Sequence, residues 1–73
     1  MVQREKFINK IRSLKYYFIE KQKRTELWRK RGGTHFISVP LADLLKDDWV
    51  INSLRQACCS PEEIKSFLAS AKC

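Results

Sequence analysis

The stretch KYYFIEKQKRTELWRKRGGTHFISVP, residues 15–40, decides the fold of this chain. It holds three runs rich in aromatic, β-branched and alternating residues, separated by polar or glycine breaks. KYYFIEKQ predicts a first strand over 16–22. Lys23-Arg24-Thr25-Glu26 reads as a polar break. LWRKR predicts a second strand, with Trp28 and Lys30 on one face and Leu27, Arg29 and Arg31 on the other. Gly32-Gly33 predicts a two-residue type I′ hairpin, because both central positions of that turn need positive φ. THFISV predicts a third strand, stopped by Pro40, which cannot donate to the ladder. His35, Ile37 and Val39 share one face of it; Thr34, Phe36 and Ser38 share the other.

Helical periodicity flanks this segment on both sides. Over residues 3–14, Phe7, Ile8, Ile11 and Leu14 fall on one apolar stripe, while Arg4, Lys6, Lys10 and Arg12 occupy other faces. After Pro40, LADLL predicts a short helical turn. DDWVINSLRQA predicts a helix with Asp47 or Asp48 as N-cap and Val50, Ile51 and Leu54 pointing inward. Ser60-Pro61-Glu62-Glu63 opens a last helix: Ser60 suits the N-cap, Pro61 the first helical position and Glu63 the reciprocal capping-box position. Ile64, Phe67 and Leu68 form its stripe.

The order is α-β-β-β-α(α). Three consecutive strands with tight links predict an antiparallel sheet with helices on one face, a small α+β domain. At 73 residues the chain makes a single domain. So small a core leaves little room for an enclosed pocket, which favours a surface site reading a large partner.

The charge is lopsided. Residues 1–33 hold eleven Lys/Arg against three Glu, or +8; residues 34–73 hold four against five Asp/Glu, or −1. A one-sided positive field attracts phosphate backbones, acidic proteins or anionic lipid, and the expected partner is a polyanion. Lys21, Lys23, Arg24, Arg29, Lys30 and Arg31 are the candidate phosphate contacts, and binding through them is expected to be steeply salt-dependent. Tyr16, Tyr17 and Trp28 are candidates for stacking on bases, against the simpler reading that they fill the core.

Cys58, Cys59 and Cys73 form no disulfide framework and suit a reducing cytoplasm. With one histidine and no C-x-x-C, no metal site or cofactor is expected. No segment approaches the ~20 apolar residues of a membrane span, and no apolar leader opens the sequence, so no membrane association is expected. Cys58-Cys59, between two helices, reads as small buried hydrophobes, not nucleophiles.

Several of these features together resemble the HicA toxins, small prokaryotic mRNA interferases with a double-stranded-RNA-binding-domain-like (dsRBD-like) fold. They are the helix followed by three strands, the Gly32-Gly33 to Val39-Pro40 hairpin ending, and Leu54-Arg55-Gln56-Ala57 followed by Ser60 and Glu62-Glu63. The likeness spans roughly residues 5 to 68. It implies a toxin of a type II toxin–antitoxin system, an endoribonuclease cleaving mRNA without metal, and a cognate HicB-type antitoxin as partner. The family's active residue is a histidine in a Gly-Ser/Thr-His triplet, matched here by Gly33-Thr34-His35. The family triplet usually stands earlier, where this sequence has Lys23-Arg24-Thr25-Glu26. Cys58 stands where the family has a glycine that ends the helix in a left-handed conformation.

His35 has two readings. Metal-free RNA cleavage needs a base for the 2′-hydroxyl proton, an acid for the leaving 5′-oxygen and cations for the phosphate. An imidazole suits the proton transfers, and Arg29, Lys30, Arg31 and the amides of Gly32 and Gly33 can hold the phosphate. Alternatively His35 simply packs at the sheet margin and Gly-Gly is only a turn. The non-enzymatic alternative for the whole chain is a nucleic-acid-binding module, or a small interaction or inhibitor protein, using the same basic face.

Overall fold

A computed structural model describes residues 1–71, which fold into eight elements. They are β1 (Val2–Gln3), α1 (Arg4–Ser13), β2 (Tyr16–Lys21), β3 (Thr25–Lys30), β4 (Phe36–Pro40), β5 (Leu44–Leu45), α2 (Asp47–Gln56) and α3 (Pro61–Ala71). The α+β class and the antiparallel sheet in the order β2-β3-β4 agree with the sequence. Cys73 lies outside the described residues.

One face of the sheet builds the core. Tyr16, Trp28, Ile37 and Val39 are buried there with Phe7, Ile8 and Ile11 of α1, Val50 and Leu54 of α2, and Ile64 of α3. Phe7 meets Trp49 and Phe67 edge-on, with ring centroids 5.2 and 6.5 Å away, so one α1 ring binds both later helices. The opposite face of the sheet carries Tyr17, Leu27, Arg29, Phe36 and Ser38 and is left open to solvent. This is the alternation expected of a sheet covered on one side.

The two hairpins are the reverse of expectation. The tight one is at the polar break: Gln22 N–H bonds to Thr25 C=O at 2.7 Å, so only Lys23 and Arg24 form the loop. Thr25 and Glu26 belong to β3. The Gly-Gly segment makes a longer loop, because Arg31 N–H goes to Lys15 C=O (2.8 Å) and the ladder to β4 starts at Lys30 N–H to His35 C=O (3.0 Å). Gly33 N–H returns to Lys30 C=O, and only Gly32 has positive φ, at +77°. It occupies the third position of that turn, where a type II turn requires glycine. Thr34 and His35 therefore precede the third strand instead of opening it.

Pro40 is inside β4, opposite Thr25. The bonds Lys30 to His35 and Leu41 to Arg24 set the alternation, which turns the missing Pro40 N–H to the free edge of the sheet. A bulge between Phe18 and Glu20 interrupts the β2–β3 register on the other edge.

LADLL is not a helical turn. Leu44–Leu45 pairs with Val2–Gln3 in a separate two-stranded ribbon, burying Val2 and Leu45. The partner lies some forty residues earlier, so local periodicity carries no trace of it. Arg4 locks this corner: its N–H bonds to Asp43 C=O, its Nε to Pro40 C=O at 2.8 Å, and its guanidinium to the Glu26 carboxylate.

Helix ends follow local chemistry with one shift. In α2 the N-cap is Lys46, not Asp47 or Asp48, because Val50 N–H already bonds to Lys46 C=O. Both aspartates lie in the first turn, where carboxylates favour the helix dipole. Val50 and Leu54 are buried as expected, and Ile51 is half-buried. In α3, Ser60 Oγ accepts the Glu63 N–H at 3.2 Å, as its N-cap assignment requires. After α2, Cys58 N–H bonds to Arg55 C=O and Cys59 N–H to Leu54 C=O, both at 3.0 Å, with Cys58 at φ +65°. This is a Schellman ending with cysteine in the glycine position.

Candidate nucleic-acid interface

His35 sits at the mouth of the sheet, on the loop entering β4, with its ring on the covered side. The Tyr16 hydroxyl lies 2.5 Å from His35 Nδ1, and Nε2 is 3.5 Å from Gln56 Oε1 at the end of α2. The Tyr16 and His35 rings also meet edge-on, at 5.8 Å between centroids. Burial pushes the Tyr16 phenol up from its ordinary 10.0, with Cys58 and Cys59 adding to the effect, so it stays protonated at neutral pH. The phenol can donate to Nδ1 or accept a proton from it, and the His35 tautomer decides which of the two it does. Both ring nitrogens therefore face side chains of this chain, Nδ1 the Tyr16 hydroxyl and Nε2 the Gln56 amide.

The six candidate cations fall into two groups. Arg29, Lys30 and Arg31 are at the His35 end of the sheet, and Arg29 Nε donates to Gly33 C=O at 3.1 Å. Lys21, Lys23 and Arg24 are at the far end, around the tight hairpin, about 17 Å away along β3. They do not form one patch with His35. Two cations outside the expected set stand at the His35 end: Lys15, whose carbonyl anchors Arg31, and Arg12, whose Cζ is 5.5 Å from the Trp28 ring centroid. The β2–β3 register brings Lys15 there, and the packing of α1 on the sheet brings Arg12. Conversely, Arg4 of the basic helix is committed to Glu26.

Of the three aromatics considered for stacking, Tyr16 and Trp28 are core residues, 3% and 4% exposed. Tyr17 is on the open face, 43% exposed. Phe36, not singled out from sequence, is on the same face and 47% exposed, although alternation along THFISV already places it there. The register pairs Tyr17 with Arg29 and Arg29 with Phe36, so the three make one row across the sheet. Arg29 Cζ lies 5.4 Å from the Phe36 ring centroid.

Cys58 and Cys59 are both free thiols; Cys59 is buried as expected, but Cys58 is exposed, because the left-handed turn that ends α2 directs it outward. Burial pushes the Cys59 thiol up, Lys10 opposes the shift, and Glu63 reinforces it by accepting the S–H. Among the described residues no group of three His, Cys, Asp or Glu side chains is placed to hold a metal ion. No helix among them is long and apolar enough to cross a membrane. Comparison with protein families, curated proteins and solved structures returns no match.

Proposed function

We propose that this chain is an RNA-binding domain of the HicA-like kind, which grips the phosphate backbone at the His35 end of its sheet. The observation that carries this reading is that Lys15, Arg29, Lys30 and Arg31 share one end of the sheet, Arg29 and Arg31 on its open face and Lys30 on the other, with no carboxylate paired to any of them in the described hydrogen bonds and ion pairs. Such a concentration of like charge repels itself, and a polyanion relieves it by releasing counterions. In the toxin form of this reading the protein acts in the cytoplasm as a metal-independent endoribonuclease, His35 handles the proton transfers, and a HicB-type antitoxin covers the site.

A specific observation favours the non-catalytic form. His35 engages the Tyr16 hydroxyl through one ring nitrogen and approaches the Gln56 side chain with the other, so it serves as a strut between the sheet and α2. Purified protein incubated with a long RNA in chelator separates the two. Cleavage that is lost in His35→Ala with binding retained supports the toxin; salt-sensitive binding without cleavage supports the module. Absence of any RNA binding at low salt defeats both.

A further inference from the structure

Resting on the RNA-binding reading above, we infer that the open face of the sheet is a stacking platform for unpaired bases. Tyr17 and Phe36 each take one base of a single-stranded RNA, while Arg29 and Arg31 hold the phosphates between them.

Three observations converge on this. First, both rings are exposed on a face that no helix covers, and neither belongs to the core. Second, they flank Arg29 in register, two strands apart, which places their Cα atoms about 10 Å from each other. Third, the guanidinium between them is held in place, by its Nε bond to Gly33 C=O and its seat against Phe36, with its other donors left for phosphate oxygens. A shallow depression lined by Tyr17, Arg31 and Gly32 continues the row toward the loop, where the glycine lets a backbone approach closely. Glu20, opposite Leu27, limits the platform on the hairpin side by repelling phosphate.

Single strands fit this chemistry and duplexes do not. A paired base has both faces covered by its neighbours, so a flat sheet aromatic has no π-surface to meet; an unpaired base offers one regardless of its identity. A second copy of the chain fits poorly, since a two-fold contact through this face brings Arg29 and Arg31 against themselves.

The test is a fluorescence-anisotropy titration of the full chain with a short labelled single-stranded RNA, and with the same strand annealed to its complement. The single strand is expected to bind more tightly. Tyr17→Ala and Phe36→Ala are each expected to weaken it by about five- to 150-fold and to leave duplex binding unchanged, with Tyr17→Phe restoring affinity. Both rings are solvent-facing, and circular dichroism of each variant checks that the fold is kept. Single-strand affinity unmoved by the alanine variants overturns the platform while the RNA reading stands. No binding to either RNA overturns both. Self-association abolished by Tyr17→Ala assigns the face to a second copy and also overturns the platform.

Discussion

Tyr16 and His35, nineteen residues apart, are joined by a 2.5 Å contact between the phenol oxygen and Nδ1. The pair ties the first residue of β2 to the loop that opens β4, and Gln56 extends the chain of polar contacts to α2. Removing either partner has unequal consequences. His35→Ala strands a buried phenol, which costs about 1–3 kcal/mol, whereas Tyr16→Phe removes one bond and leaves a half-exposed imidazole free to meet water, at about 0.5–1.5 kcal/mol. Urea unfolding of both variants is expected to rank His35→Ala as the more destabilising. The opposite order would mean the contact contributes nothing.

Stability is expected to fall on the alkaline side. Cys59 and Tyr16 are both raised by burial from ordinary values of 9.0 and 10.0. In each case the folded state holds its proton more tightly than the unfolded chain. The contribution is therefore complete below the unfolded value and is lost as pH climbs through the folded one. Chemical denaturation should show a decline beginning above about pH 9 and steepening past pH 10, and Cys59→Ala should remove the earlier part.

Cys58 spends the fold in a left-handed conformation that glycine adopts without strain. Cys58→Gly is expected to stabilise by about 1 kcal/mol, and Cys58→Val to destabilise, since a β-branched residue tolerates positive φ worst. Thermal unfolding of the two variants checks this, with Lys15, at φ +70° after α1, as an independent second site for glycine.

Trp28 fills the centre of the covered face, yet its Nε1 is buried with no hydrogen-bond partner among the described residues. Trp28→Ala should cost about 3–5 kcal/mol through the cavity it leaves. Trp28→Phe should cost much less, because the smaller ring removes the orphaned donor along with some packing. Equal losses in the two variants would show that shape alone matters at this position.

The two cation groups should separate in salt titrations. Arg29→Ala and Arg31→Ala are each expected to reduce the slope of log K against log salt by about 0.7 for a single strand. Lys23→Ala and Arg24→Ala, at the far end of the sheet, should leave it unchanged. A larger effect from the hairpin pair would move the RNA path away from His35.

What the residues determined by themselves is the part governed by local alternation and local caps. The three strands, the covered and open faces, the apolar stripe of α1 and the Ser60 cap of α3 are written within a few residues of where they act. Tertiary structure alone decided the rest, because each such feature depends on a partner distant in the chain. Leu44–Leu45 is a strand only because Val2–Gln3 lies beside it, and Gly32-Gly33 sits in a longer loop because Arg31 bonds to Lys15. The six candidate cations, all within residues 21–31, part into two groups because β3 is extended and carries its ends about 17 Å apart. The same extension aligns Tyr17, Arg29 and Phe36, three residues from three strands, into the row that faces solvent.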